Sequence, residues 1–134
     1  MPKSRDGTDS RADEFEFEGF TWPRFTQVPN ETFEDLMPRL SGSGFKILMA
    51  IAHHVLYHGR EEGYAAVGYS EITRMTGLHK DSVRRGVKEC LELGCIEVVE
   101  EYDAKRSLSR MYSLKFAPGY GPESTSHRPD MTEQ

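Results

Sequence analysis

The sequence of 134 residues has no run of apolar residues long enough to cross a membrane. It does not begin like a secretory signal either, because Lys3 and Arg5 are followed by acidic and polar residues instead of an apolar segment. Only two cysteines are present, Cys90 and Cys95, and we interpret both as buried free thiols rather than a disulfide. These absences predict a cytoplasmic protein that does not contact membranes.

Motifs of catalysis are also missing. The sequence contains no glycine loop of the kind that cradles phosphates, no nucleophile elbow and no arrangement of paired carboxylates. We therefore predict that the protein is not an enzyme and needs no cofactor. His54 and His58 have a spacing that can bind zinc. Histidines near the end of a helix more commonly compensate its dipole, so we predict no metal site and keep this pair as the candidate.

Composition divides the chain into three parts. Apolar residues make up 37% of it, which is enough for one compact core but not two. We predict a disordered acidic and aromatic arm over residues 1–20, one folded domain over 21–117 and a disordered tail over 118–134. Residues 14–22 (EFEFEGFTW) alternate with the period of a strand. They also fit an acidic-aromatic stretch that stays loose until it meets a partner, and we prefer an extended arm packed partly on the domain.

Four helices are predicted in the domain from the spacing of its apolar residues. The first follows residue 30 and is short or tightens near its end because Pro38 lies inside it, and the second runs from about residue 44 to 57. The third covers residues 71–75 and the fourth covers about 80–93. The residues expected to cap or end these helices are Asn30, Ser43, Ser70 and Gly94.

Two predicted strands, residues 96–100 and 111–116, follow the fourth helix, and a polar loop over residues 103–110 joins them. Residues 65–67 are a shorter strand candidate. The expected fold class is therefore α+β: a winged helix-turn-helix with a helical core and a small antiparallel β-hairpin as its wing.

The helix-turn-helix prediction depends on the spacing around Gly77. Such a motif needs a tight turn between two helices and apolar residues at fixed positions on both sides of it. Gly77 supplies the turn, the small residue Thr73 leaves room for the second helix, and Gly86 is expected to allow close approach on the same face. The apolar residues expected on the inner face are Ile72, Leu78, Val83, Val87 and Leu91.

The net charge of −5 is unevenly distributed. Residues 1–20 carry six acids and three bases, residues 117–134 carry three acids and one base, and residues 21–116 carry 13 of each. Within this neutral part the bases cluster, because only Asp81 stands among the bases from Arg74 to Lys88 and no acid stands among those from Lys105 to Lys115. Such clusters can present a phosphate-facing surface, since the local field governs the encounter.

Both clusters lie where a winged helix meets double-stranded DNA. The start of the second, recognition helix enters the major groove, where Arg84 and Arg85 can form bidentate contacts with guanine and Lys88 meets phosphate. A basic loop between the strands can reach phosphates or the minor groove. The candidate DNA-binding residues are Ser70, His79, Lys80, Ser82, Arg84, Arg85, Lys88, Lys105, Arg106 and Arg110.

Five segments carry a family resemblance: residues 25–31 (FTQVPNE), 40–48 (LSGSGFKIL), 69–72 (YSEI), 76–78 (TGL) and 83–96 (VRRGVKECLELGCI). Together they resemble the N-terminal winged-helix domain of the phage replication protein O family. The resemblance implies a protein that recognises origin repeats, usually as a dimer, before helicase loading. Residues 53–59 (HHVLYHG) depart from the Arg-rich, Tyr-Gly segment of that family, and its helicase-recruiting part is not expected in this chain.

Several alternatives remain open. The helix-turn-helix half is equally similar to small winged-helix transcriptional regulators, so the sequence does not choose between replication and transcription. A homodimer is expected, because two half-sites improve specificity. The alternative function is a winged helix that binds protein instead of DNA, which the net acidity and the aromatic arm favour. The arm is in that case the site for a protein partner.

Overall fold

The structure, a computed structural model, describes residues 15–58, 62–101 and 109–120. These residues form an α+β fold with four helices and a small three-stranded antiparallel sheet, as the sequence predicted at this level. The disorder predicted for residues 1–14 and 121–134 lies outside the described residues. So does most of the loop predicted between the last two strands, including Lys105 and Arg106.

The four helices follow one another along the chain. The first, α1, is a single π-helical turn over Thr32–Leu36. The second, α2, spans Gly42–His53 and continues as a π-helical turn over His54–His58. The third and fourth, α3 and α4, span Tyr69–Thr76 and Lys80–Leu93. None of the helices in the described ranges has the length and apolar character needed to cross a membrane.

Two predicted caps in the first half of the domain are wrong. Ser41 rather than Ser43 caps α2, and its hydroxyl accepts a hydrogen bond from the backbone N–H of Gly44 at 3.0 Å. With Ser41 as its cap, the helix begins at Gly42, two residues earlier than predicted. Glu31 rather than Asn30 precedes α1, and it makes no side-chain cap.

Glycines define the ends of the other two helices. Gly68 precedes α3 in an extended conformation, so Ser70 lies inside the first turn instead of capping it. Gly77 ends α3 with a φ of 74°, and Gly94 ends α4 with a φ of 88°. Because side chains with a Cβ are strained at such φ values, both positions favour glycine, as predicted for the turn and for the end of α4.

The core consists of the apolar faces of α2, α3 and α4, closed by the sheet. Its largest fully buried side chains include Ile47, Ile51, Ile72, Val83, Val87 and Tyr112. The apolar residues predicted to face inward from α3 and α4 lie in the core: the isoleucine and both valines are buried, while Leu78 and Leu91 pack against them. With one side of α4 in the core, its other side faces solvent.

Helices α2 and α4 cross very closely. A Cβ added at Gly86 would overlap Cδ1 of Ile47 and lie 3.4 Å from its Cγ1. Further along the crossing, the thiol of Cys90 donates to the carbonyl of Gly44 at 3.4 Å. The close approach expected at Gly86 is therefore present, but its partner is α2 rather than α3.

Glu89 also connects α4 to the beginning of α2. Its carboxylate accepts hydrogen bonds from the hydroxyl of Ser41 at 2.6 Å and from the backbone N–H of Ser41 at 2.8 Å. Since both bonds favour the ionised form, they lower the pKa of Glu89 below its ordinary value. The cap of α2 and the exposed helix α4 are thus held together by one side chain.

The sheet contains β1 (Ala65–Ala66), β2 (Ile96–Glu100) and β3 (Met111–Leu114), in the order β1-β3-β2. All neighbours are antiparallel, with Ala65 opposite Tyr112 and Ile96 opposite Leu114. The strand predicted over residues 111–116 ends at Leu114, two residues earlier than predicted. The central position of β3 in the sheet explains why Tyr112 is fully buried.

Residues 15–25, which we call the aromatic segment, form neither helix nor strand, so the strand that their alternation also fitted is not formed. A strand needs a neighbouring chain to satisfy its backbone groups, and the segment pairs with no strand of the sheet. Its five aromatic residues are each more than half exposed, so the partial packing expected for this arm leaves most of their surface in solvent. Thr26, directly after the segment, contacts the domain, because its hydroxyl lies 3.0 Å from Nδ1 of His53.

Candidate nucleic-acid interface

Residues 77–79 form the turn that positions α4 relative to α3. The Thr76 hydroxyl donates to the carbonyl of Ile72 at 2.7 Å and accepts from the backbone N–H of Leu78 at 3.2 Å. His79 then caps α4, because its Nδ1 accepts from the backbone N–H of Asp81 at 3.2 Å. These local bonds fix the beginning of α4, which is the part that was predicted to meet bases.

The exposed side of α4 carries four bases, Lys80, Arg84, Arg85 and Lys88, which we call the basic face. Three of them are spaced by four residues, so they lie along one side of the helix. The opposite side is buried in the core at positions 83, 86, 87 and 90. The fold therefore brings together the bases that the sequence assigned to the recognition helix.

Two of the four bases of the basic face are paired weakly within α4. The guanidinium of Arg84 lies 3.1 Å from the carboxylate of Asp81, and the ammonium of Lys88 lies 3.9 Å from that of Glu92. The four side chains of these two pairs, two bases and two acids, are all more than half exposed. Ion pairs this exposed contribute little, so these bases can exchange their acids for phosphates at small cost.

The other two bases, Lys80 and Arg85, form no ion pair with any residue that the structure describes. Arg85 donates to the hydroxyl of Ser82 at 3.3 Å. Ser82 itself is half-buried beside it. His79 caps the helix through Nδ1 and stays 73% exposed, so its Nε2 is available to a ligand.

Ser70 and Arg110 lie together in a different place, a cleft of about 450 Å³ between the start of α3 and the start of β3. Arg110 donates to Glu101 at 3.1 Å and to the hydroxyl of Tyr112 at 3.4 Å, and its guanidinium lies 5.9 Å from the centre of that ring. Burial raises the pKa of Tyr112, which therefore stays a neutral donor or acceptor. Arg110 thus has a structural role that the sequence did not indicate.

Lys46 on α2 is a base that sequence reasoning missed. Its ammonium donates to the carbonyl of Thr76 at 3.1 Å, and its side chain is exposed. The bond places a positive charge beside the turn that leads into α4. Lys46 lies far along the chain from both basic clusters, so no charge pattern in the sequence points to it.

His54, one of the two histidines considered for zinc, has another partner. Nε2 of His54 lies 3.4 Å from the carboxylate of Glu71, which also receives the guanidinium of Arg74. The hydrogen bond from Arg74 holds the pKa of Glu71 below its ordinary value. Within residues 15–58, 62–101 and 109–120, no group of three or more His, Cys, Asp or Glu residues is arranged to hold a metal ion.

No protein-family model, curated protein or solved structure matches this chain.

Proposed function

We propose that this protein is a sequence-specific double-stranded DNA-binding protein of the winged-helix type, with α4 as its recognition helix. The observation that carries the proposal is the basic face, four exposed bases on a helix whose opposite side is locked in the core. The major groove of DNA admits an α-helix, and a rigidly held helix can present its side chains to base edges in a fixed register.

The order of elements supports the same proposal. A three-residue turn joins α3 to α4, and the antiparallel strands β2 and β3 follow directly. In a winged helix this hairpin carries the wing, which here corresponds to residues 101–110. Lys105 and Arg106 would then contact phosphates or the minor groove beside α4.

The contacts differ in what they contribute. Arg84 and Arg85 are assigned to base edges, because a guanidinium matches the two acceptors of guanine. Lys88 is assigned to phosphate, and Lys46 joins it from α2. Phosphate contacts position the protein without reading sequence, so specificity depends on the two arginines.

The process served follows from the family resemblance and stays a proposal: origin recognition in replication, or regulation of transcription, by a homodimer. A second candidate function is a protein-binding module without specific DNA recognition. The observation that favours it is the aromatic segment, whose large rings face solvent. Binding without a catalytic step is common to both candidates.

The test replaces Arg84 and Arg85 together by alanine. We expect the affinity for duplexes selected from a random pool to fall by at least about 30-fold, since each of the two bidentate contacts contributes about 1–3 kcal/mol. Fluorescence anisotropy with a labelled duplex measures the change.

The matched control is the double variant Arg24→Ala and Arg39→Ala, which removes the same charge outside both basic clusters. Arg24 is exposed, and Arg39 bonds the carbonyl of Asp35 on α1. We expect less than a 10-fold change from the control. No binding by the parent at low salt, or equal losses in both double variants, would overturn the proposal.

A further inference from the structure

An apolar groove of about 730 Å³ lies between α1, the end of α4 and the chain that follows β3. Its apolar walls include Leu36, Leu93, Leu114, Phe116 and Tyr120. Leu93 is 42% exposed and Tyr120 is 65% exposed, so the groove is open to solvent. Grooves of this size and character commonly bury an apolar group of a ligand or a partner.

The aromatic segment offers such apolar groups. Phe20 is 93% exposed, Trp22 is 85% exposed and Phe15 is 67% exposed. The rings contact one another, with centres 4.9 Å apart for Phe17 and Phe20 and 5.2 Å apart for Trp22 and Phe25. Contiguous exposed apolar surface of this kind marks a site of interaction with another molecule.

The C-terminal end of the aromatic segment leads into the groove wall. Thr26 is fixed to α2 by its contact with His53, and Pro29, three residues later, lies in the groove wall. From Phe25 back to Phe15 the chain can extend by about 35 Å. One chain therefore carries an apolar groove and, next to it, a segment long enough to reach the groove of a neighbour. A two-fold dimer requires this kind of self-complementary surface.

We propose that the groove receives the aromatic segment of a second copy of this chain, in a symmetric dimer in which the two segments are exchanged. The five rings expose about 700 Å² per chain, and covering half of that area also removes a smaller area, about 200 Å², from the groove. Two exchanged segments then bury about 1,100 Å² in total, which clears the roughly 1,000 Å² that a specific interface needs.

Apolar contact rather than charge holds this dimer together. The segment carries Glu16 and Glu18, while the groove is lined by Glu31 and Asp35 as well as by Lys115. Charges of both signs on the groove give no strong attraction for an acidic segment. The dimer gives the homodimer of the proposed function its contact surface, but it forms without DNA.

The test measures the mass of the parent chain by sedimentation at about 100 µM without DNA, because the dimer population depends on concentration. We expect a dimer. The double variant Phe20→Ser and Trp22→Ser removes two exchanged rings, and Leu93→Glu places a charge in the groove. Each change should weaken dimerisation by at least about 10-fold, and Tyr64→Ser, an exposed aromatic residue elsewhere, should leave it unchanged.

Mixing the segment variant with the groove variant gives the decisive result. The groove variant keeps an intact aromatic segment, and the segment variant keeps an intact groove. A heterodimer of the two therefore retains one of the two contacts, so the mixture should dimerise more than either variant alone. If Leu93→Glu fails to fold by circular dichroism, Tyr120→Glu replaces it.

Three results overturn the inference: a monomeric parent, a groove variant that dimerises like the parent, or a mixture no more dimeric than its components. A monomeric parent is also the result expected if the segment folds back into the groove of its own chain. A parent that dimerises without binding DNA removes the proposed function and leaves the dimer. A monomeric parent that binds DNA does the reverse.

Discussion

The basic face of α4 and the aromatic segment are both exposed, but for different physical reasons. The bases of α4 face water because the other side of the helix is buried against α2 and α3, and charged groups are well solvated there. The rings of the segment face water although burying them would be favourable. A charged surface on a packed core is complete by itself, whereas an apolar surface without a core needs a second molecule to cover it.

Salt should separate the two surfaces most strongly. If the basic face neutralises about four phosphates, raising the salt concentration from about 50 to about 200 mM lowers the DNA affinity by about 100-fold, because condensed counterions are no longer released as favourably. The dimer held by the aromatic segment should keep its affinity, since apolar burial releases no such ions.

Anisotropy with a labelled duplex and sedimentation without DNA, over one salt series, give both numbers. A DNA affinity that ignores salt, or a dimer that dissociates in parallel with the DNA complex, would contradict the distinction between the surfaces.

Gly86→Ala tests the support behind the basic face. The added methyl group meets Ile47 in the buried crossing, so we expect the free energy of unfolding to fall by about 1–2 kcal/mol after the gain in helix propensity is included. Urea denaturation measures the change. Gly42→Ala is the matched control, because a Cβ at Gly42 meets no atom within 4 Å.

By the same measurement, Phe20→Ala should leave the stability of the domain unchanged within about 0.5 kcal/mol, because its ring supports no core. If the Gly86 and Gly42 variants are equally stable, the crossing does not constrain α4.

Glu89→Gln tests the connection between α4 and the cap of α2, with a smaller effect. Ser41 donates two bonds to this carboxylate, and we expect the free energy of unfolding at pH 7 to fall by about 1 kcal/mol or less because solvent partly screens the site. The pKa of Glu89 in the folded chain lies below the ordinary 4.5. Its contribution is therefore complete above about pH 4.5 and is lost as the pH falls through the folded pKa.

Urea melts between pH 7 and pH 3 should show the parent and the Glu89→Gln variant converging at the acid end. The control is Glu92→Gln, which removes an acid from the same helix near Lys88 without touching Ser41. A constant difference at every pH would show that ionisation of Glu89 is not involved.

The parts of the fold that the sequence predicted well are those with local causes. The apolar inner face of α3 and α4 follows from helical periodicity, and the end of α4 follows from a glycine that can adopt a positive φ. The basic face could be predicted for the same reason, because bases at intervals of four residues need only a helix to align them.

The parts that were missed or wrong depend on contacts between distant residues. Ser41 became the cap of α2 together with Glu89, which is 48 residues away, and Lys46 reaches a carbonyl 30 residues away. The aromatic segment has the alternation of a strand but no edge to pair with, so its pattern alone was misleading. Arg110 was assigned to DNA from a cluster of bases without acids, and its ion pair with Glu101 is seen only in the structure.

The thiol of Cys90 at the crossing of α2 and α4 has a practical consequence. Its pKa is raised by the hydrogen bond with the thiol of Cys95 and by burial, and it bonds the carbonyl of Gly44, so thiolate-selective alkylating reagents react with it only after the two helices separate. Its alkylation rate, followed by mass spectrometry, therefore counts local openings behind the basic face. The native chain contains this chemical reporter, and no label has to be introduced.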